Sequence, residues 1–497
     1  MPVQAKVHHE FLRRLEAIAV HGLGLSVDIH APDLTSLRRS LDQHHVPLSY
    51  LEVFHATAMA LKNVKQDIGD GRLAYHGEGL WVTQPEMTET KAFHHTFSQT
   101  VDHLLVLQSA WLNHECAAKV LADHYFGTYL PPLYTRSSAE IVSENICEIQ
   151  RRLDQDCELA NGSTPLVMLE MPPLTYFVAG TLAIPSFFRL VCEQSPCGLV
   201  LDVGHLWTVF RYSRACRTQS LERFVSSFLD EFPIERVVEI HVAGLALHNS
   251  HQTGCAIPSG HNNDRMFPAW IDAHAAPIPS VLFQMLDQIV GHPRLTNLKG
   301  LALEVDTKPV ELIVDEFSEF SRRYRSALSR IPITQTVSCS TEASWLLGVQ
   351  SSSTTKRGLK EAYERYVSVL TSRAEPVGPE WELASAYGDE LDRYRTEYLP
   401  HEVLHWGGDL EDMFIESCRG LKERGLSLEG FVRYWFSEPR PSSGSYDFFL
   451  LKIERFVEFV REVAPDLDCI AKQEAGELRL AYRLVNEPAV QAEVGLK

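Results

Sequence analysis

No run of about 18 apolar residues occurs in this 497-residue chain, and no apolar stretch follows its opening Met1-Pro-Val-Gln-Ala-Lys6. The expectation is therefore a soluble, cytoplasmic protein without a membrane partner. Basic residues are in deficit, 46 Lys and Arg against 65 Asp and Glu, for a net charge of -19. That balance disfavours nucleic acid or an anionic lipid surface as the main partner. The 10 cysteines never form a CxxC pair. A chain of this length needs no disulfide framework, so they are read as small buried apolar residues. Internal repeats are absent. Histidine is nearly absent from the C-terminal third: the last 167 residues hold only His401 and His405 of the 22. Imidazole chemistry belongs mainly to the first 300 residues.

What is present is enough apolar material for a large core, with 45% hydrophobic and 22% charged residues. Short apolar runs repeatedly end on a metal-capable side chain: Tyr75-His76-Gly-Glu78, Trp111-Leu-Asn113-His114-Glu115, Val167-Met-Leu-Glu170, Gly198-Leu-Val-Leu-Asp202-Val-Gly-His205, Val238-Glu-Ile-His241 and Leu301-Ala-Leu-Glu304. Each reads as a buried strand that opens onto a polar site. The spacing predicts strands at 22–27, 49–54, 73–80, 110–115, 166–171, 198–206, 236–243 and 300–305. Helices are expected at 33–45, 88–108, 137–154, 185–194, 219–231, 279–290 and 309–329, after a helical lead-in over 1–20. Eight strands alternating with helices predict an α/β fold, a (β/α)8 TIM barrel over 1–330, with the strand ends gathered on one face. A long irregular insertion spans His248–Pro268. Residues 331–358, rich in Ser and Thr, read as a linker, and 359–497 as a smaller, mainly α-helical domain with a possible strand at 477–484.

By expected strand end, the candidate site residues are Glu52, His76, His114 with Asn113 and Glu115, Glu170, Asp202 with His205, His241, Asp272 with His274, and Glu304. Mixed imidazole and carboxylate donors suit iron, manganese or zinc, and a set this large can hold more than one ion.

The motifs His21-Gly-Leu-Gly-Leu, Tyr75-His-Gly-Glu-Gly-Leu80, Leu169-Glu-Met-Pro-Pro, Leu201-Asp-Val-Gly-His205, Glu239-Ile-His-Val-Ala-Gly244, Trp270-Ile-Asp-Ala-His-Ala-Ala-Pro277 and Ala302-Leu-Glu-Val-Asp306 resemble, in order and spacing, the multinuclear non-heme iron-dependent oxidative enzymes, the family of the methanobactin-biosynthesis oxidase. The resemblance spans about residues 18–328. It implies a barrel with two or three irons of mixed ferrous and ferric state at its mouth, O2 as co-substrate, and modification of a Cys, Asp or Asn of a ribosomally made precursor peptide. It also implies His76, His114, Glu170, Asp202, His241, Asp272, His274 and Glu304 as iron ligands, with His205, Glu52 and Asn113 as further catalytic residues. The sequence departs from the pattern at three places. His55-Ala-Thr-Ala58 follows the second strand instead of Glu-Asn, Asn113 stands where an acid is usual, so that Asn113 or Glu115 takes its part, and Leu245 replaces a His. The alternative on the same barrel is a zinc- or manganese-dependent hydrolase or isomerase of the xylose isomerase and endonuclease IV type; a metal-free binding module is a third reading.

The tail carries Pro400-His401-Glu402-Val-Leu-His405, an HExxH match that puts two imidazoles on one helix face, as in zinc proteases, with Glu423 or Glu429 as third donor. The competing reading is a helix start with both histidines on a solvated face. Tyr363, Tyr366, Trp381, Tyr387, Tyr394 and Trp406 read as tail core. The family context suggests a peptide-presenting partner protein, or its fused equivalent in 359–497.

Overall fold

A computed structural model describes residues 3–28, 33–69, 71–248, 267–326, 351–385, 388–440 and 447–486. Most of the expected insertion, residues 249–266, lies outside them, as do 327–330 at the end of the expected barrel, 331–350 of the expected linker and Tyr387. The strands are β1 (Gly22–Val27), β2 (Tyr50–Phe54), β3 (Arg72–His76), β4 (Trp111–Glu115), β5 (Ala118–Leu121), β6 (His124–Leu130), β7 (Leu166–Glu170), β8 (Gly198–Asp202), β9 (Val237–Val242), β10 (Leu245–Leu247), β11 (Trp270–Asp272) and β12 (Gly300–Glu304). Around them run α1 (Val3–Glu16), α2 (Leu34–Gln43), α3 (Ala58–Ile68), α4 (Lys91–Leu107), α5 (Arg136–Asp156), α6 (Ile184–Gln194), α7 (Val203–Tyr212), α8 (Ala215–Thr218), α9 (Leu221–Glu231), α10 (Ser280–Val290) and α11 (Val310–Tyr324).

Eight of the strands, in the order β1-β12-β9-β8-β7-β4-β3-β2, close into a barrel of parallel neighbours. This is the TIM barrel that the alternation of apolar runs predicts. Strand alternation splits each run between the barrel interior and the helical layer. In the lower half the inward residues are apolar: Tyr50, Ala74, Trp111, Leu166, Met168, Val200, Val238 and Ala302. Helix α1 closes this end by inserting Phe11 and Leu15, with Ile18 just beyond it. Each such buried side chain contributes roughly 1.5–3 kcal/mol. The Tyr50 ring fits because β1 and β12 carry glycine beside it: a Cβ on Gly24 would lie 2.3 Å from the ring, and one on Gly300 2.7 Å from the hydroxyl.

The local differences from expectation have identifiable causes. Strand β8 stops at Asp202 because the Asp202 carboxylate accepts the His205 amide at 2.6 Å and caps α7, which puts His205 on a helix rather than a strand. β3 ends at His76, not 80, where the Gly77 amide turns to the Asn113 carbonyl. The hairpin β5–β6 and helix α3, capped by Thr57, carry signals too short for the sequence pattern.

In the tail, α12 (Ser353–Leu370) begins inside the expected linker, capped by Ser352. Residues 477–484 are helical, within Asp468–Asn486, so the strand expected there is absent. The spacing of Leu467, Ala471 and Ala475, all buried, is a helical period rather than an alternation. Tyr363, Tyr366, Trp381 and Tyr394 are buried as expected, whereas Trp406 is 53% exposed. The described cysteines are free, most of them buried. Among the described residues no helix is long and apolar enough to cross a membrane.

One apolar core continues from the barrel into the tail. Trp435 Nε1 donates to the Tyr125 carbonyl of β6 at 2.7 Å, the Gly180 amide donates to the Glu380 carbonyl at 2.7 Å, and Arg211 pairs with Glu390 at 2.6 Å. β6 follows β4, and Gly180 follows β7. The tail therefore packs on segments that leave the carboxyl ends of the strands, the face where this fold keeps its sites.

Candidate metal centre at the barrel mouth

Above the apolar layer the inward positions change character. Glu52 on β2, His76 on β3, Asn113 and Glu115 on β4, Glu170 on β7, Asp202 on β8, Glu239 and His241 on β9 and Glu304 on β12 all lie within 5% of full burial. Their donor atoms converge. His76 Nε2 lies 3.3 Å from Glu170 Oε2, which also accepts from Asn113 Nδ2 at 2.9 Å. His241 lies 3.2 Å from Glu52, 3.4 Å from Glu170 and 3.2 Å from Glu304. His205 donates through Nδ1 to the Met171 carbonyl at 2.7 Å, leaving Nε2 facing Asp202 at 3.8 Å and Asp272 at 3.6 Å. His274 is held through Nδ1 by Asp306 at 2.9 Å, and its Nε2 faces Asp272 at 3.0 Å and Glu304 at 3.3 Å. One ring nitrogen fixed by a carbonyl or carboxylate while the other points inward is the arrangement that prepares histidine to bind a metal.

Four overlapping triplets bring three ligand atoms within 4.8 Å of one another: Glu52, Glu239 and His241; His76, Glu115 and Glu170; Glu170, His241 and Glu304; Glu170, Asp202 and His205. Glu170 belongs to three of them.

Charge explains why such a cluster calls for cations. Glu52, Glu115, Glu170, Asp202, Glu239, Asp272 and Glu304 are seven carboxyls; His76, His205, His241 and His274 are four imidazoles. With every group ionised, seven against four leaves three uncompensated negative charges in a low-dielectric pocket. Without metal the pocket retains protons instead. Burial and the neighbouring Glu170 push the Glu115 carboxyl well up, burial raises Asp202 to about 7, and burial with Glu52 alongside raises Glu239 to about 8. Burial opposes ionisation of Glu170 too, but His241 and His76 hold it well below the usual range. For His76, burial is outweighed by Glu170 and Glu52, which raise it to about 9. Glu115 Oε2, Glu170 Oε1, Asp202 Oδ2, Glu239 Oε2 and both nitrogens of His241 are buried without a well-formed hydrogen bond. Orphaned acceptors of this kind are rare in folded proteins unless they meet an ion. Their oxygen and imidazole chemistry fits iron, manganese or zinc.

The structure brings together eleven of the twelve candidate site residues. His114 is the exception: it lies on the outward face of β4, where Nε2 accepts the Leu80 amide at 3.0 Å and Nδ1 donates to the Glu115 carbonyl at 2.8 Å. Both nitrogens are engaged, and burial lowers its pKa to about 4. Alternation is the reason. Trp111, Asn113 and Glu115 share the inward face, so Glu115 occupies the position that the sequence reading gave to His114. Counting by twos from a bulky core residue would have found it. Glu239, two residues before His241, was missed for the same reason; Asp306, which holds His274, lies beyond the end of β12 and reaches that ring only through the fold. Of the departures, His55 sits outside the cluster, 2.9 Å from the Tyr75 hydroxyl; His248, three residues after Leu245, turns toward the tail.

The chain is similar to several known proteins. A UPF0276 protein of Vibrio vulnificus is 24% identical over 294 residues, 57% of this chain and 88% of its own length. Another, from Rhizobium meliloti, is 26% identical over 181 residues, 36% of this chain and 47% of its own. Among solved structures, endonuclease IV from Thermus thermophilus aligns over 62% of this chain and 99% of its own at 14% identity, with a TM-score of 0.34. A D-tagatose 3-epimerase-like protein covers 62% of this chain and 98% of its own at 13% identity, with a TM-score of 0.35. The model of the family described as RiPP precursor modification enzyme MbnB/TglH/ChrH matches residues 21–323, which span the whole barrel with its converging carboxylates and imidazoles, and the chain belongs to that family.

Proposed function

We propose that the barrel mouth holds two or three iron ions of mixed ferrous and ferric state and uses O2 to modify a Cys, Asp or Asn residue of a precursor peptide. The observation that carries this reading is the membership of Glu170 in three ligand triplets, so that this one carboxylate would serve more than one ligand set. The ligands would be His76, Glu115, Glu170, Asp202, His205, His241, Asp272, His274 and Glu304, with Glu115 in place of His114. Iron in such a shell supplies one-electron chemistry with O2 and open positions for a thiolate or carboxylate of the substrate.

The chain's own residues prepare that shell. Asn113 donates to Glu170 Oε2 and fixes which oxygen turns toward His76. Glu52, itself held by the Trp111 indole N–H at 3.3 Å and the Ser26 hydroxyl at 3.2 Å, orients His241 from below. Asp306 and the Met171 carbonyl set the tautomers of His274 and His205. We assign the tail, residues 359–497, the work of holding peptide or a peptide-presenting partner. The support is its seat on the mouth side, where Tyr398 packs against Tyr176 and Arg393 lies over the same ring at 5.0 Å. A ribosomally made substrate puts the reaction in the cytoplasm.

The test is metal analysis and oxygen uptake on anaerobically purified full-length protein, followed by mass spectrometry of a short Cys- or Asp-containing peptide encoded beside it and co-expressed with it. Iron content, oxygen uptake and a mass change on one peptide residue are expected. Zinc or manganese alone, with no oxygen uptake, overturns the oxidase reading in favour of a hydrolase or isomerase.

A further inference from the structure

Among the described residues, every group of three converging metal-capable donors lies in the barrel, and the HExxH segment of the tail belongs to none of them. Glu402 is 2% exposed, with its Cβ packed on Gly127 of β6, whereas His405 is 43% exposed. That segment is core on one side and helix surface on the other. One barrel group stands apart from the ligand set proposed above: Glu52, Glu239 and His241 share only His241 with it.

His241, on β9, is fully buried and faces a different pair of carboxylates through each ring nitrogen. Nδ1 lies 3.4 Å from Glu170 Oε1 and 3.2 Å from Glu304 Oε1; Nε2 lies 3.2 Å from Glu52 Oε1 and 3.6 Å from Glu239 Oε2. Neither nitrogen makes a well-formed hydrogen bond, and Glu239 Oε2 has no partner either. Hydrogen bonds would put each oxygen along an N–H axis at roughly 2.7–3.2 Å. Ligands held at about 2.0–2.1 Å by one tetrahedral ion instead lie roughly 3.3–3.4 Å apart, off the axis of the ring nitrogen. The separations found, 3.2 to 3.6 Å, bracket that value on both sides of the ring.

The lower pair of carboxylates is also oriented from outside. Glu239 Oε1 accepts the Tyr50 hydroxyl at 2.5 Å, which turns Oε2 toward His241. Glu52 Oε2 accepts the Trp111 indole N–H at 3.3 Å, leaving Oε1 between the Ser26 hydroxyl and His241 Nε2. Donors on the outer oxygen of a carboxylate prepare the inner one to ligate. Glu239 pairs with Gly300 where His241 pairs with Ala302, so Glu239 sits one inward step nearer the apolar layer than the mouth ligands.

We propose that Glu52, Glu239 and His241 Nε2 hold a divalent transition-metal ion beneath the mouth centre, with His241 as the bridge between the two. The bridge rests on the reading that metal occupies the mouth at Nδ1; the deep ion itself needs none of the mouth carboxylates. For both nitrogens to ligate, the ring releases its one N–H proton to water. The ion neutralises two carboxylates that otherwise face each other in the dry interior. It would tie β2 to β9 across the barrel, since β1 and β12 separate those strands in the sheet.

Full-length protein stripped with chelator, titrated with zinc alone and freed of excess by gel filtration tests this. E239Q should retain about one zinc fewer than wild type, and E170A/E239Q about one fewer than E170A, whose lesion lies in the mouth. Y50F should weaken one zinc roughly 10–100-fold in competition with a chromophoric chelator. Equal zinc content within either pair overturns the deep ion. Should E239Q fail to fold, Y50F decides: one weakened zinc supports the site, and unchanged affinities remove it. The counts need no iron, oxygen or peptide, so the oxidase reading can fail while the deep ion stands, and the deep ion can fail while oxygen uptake supports the oxidase.

Discussion

The barrel mouth and the seam where the tail meets the barrel are held together by opposite means. At the mouth, donors arrive one or two per strand, all from inward positions, buried and rich in carboxylates, so a single ring of hydrogen-bonded strands aims every ligand at once. At the seam, His401 packs beside His405 of its own helix turn and meets His248 from a segment more than 150 residues away in sequence. The difference teaches where each region is fragile. The mouth depends on strand register and on balancing buried negative charge. The seam depends on two separately folded segments staying docked.

Breaking the mouth at its shared carboxylate gives the largest effect. E170A removes a member of three ligand triplets, and activity should fall further than the roughly 10–100-fold expected of an outer-sphere change. Metal content by elemental analysis, read beside peptide modification, checks it. The pair E115Q and H114A sharpens the reading of β4. E115Q should lose metal while folding normally, whereas H114A should keep metal and lose about 1–3 kcal/mol of stability, because the Leu80 amide and the Glu115 carbonyl are left unsatisfied. Denaturant melts with metal counts distinguish the two, and the reverse pattern would return His114 to the site.

D306N tests the outer support of His274. Metal affinity should weaken roughly 10–100-fold with the fold intact, measured by competition with a chromophoric chelator. The smallest effect lies in the tail. Glu402 is buried, and its pKa is raised to about 8 by desolvation against an ordinary value of 4.5. Between those pH values the folded chain holds a proton that the unfolded chain releases, so this contribution is complete below about 4.5 and declines as pH rises toward 8. E402Q should flatten that slope in thermal melts, while the wild type loses stability across the same window. An unchanged slope would show that Glu402 is already ionised in its pocket.

Much of this was legible in the chain. Apolar runs ending on His, Asp or Glu gave the barrel, and Asp33 and Ser352 cap their helices through local hydrogen bonds that neighbouring residues suffice to make. Less legible were features in which two local signals conflict. His205 follows an apolar run, yet the capping carboxylate of Asp202 starts a helix before it; residues 477–484 have strand-like composition, yet their buried neighbours follow a helical period.

The sequence by itself determined the barrel strands and most of the helices around them, the wealth of metal-binding side chains before residue 305 and the paired imidazoles of His401 and His405, because periodicity and i,i+4 spacing act over a few residues. Tertiary structure alone decided that Glu170 stands between three ligand groups and that His248 meets His401 of the tail. Those outcomes follow from strand closure and the docking of distant segments, and distances between residues far apart in the chain are set by packing of the whole molecule rather than by any local pattern.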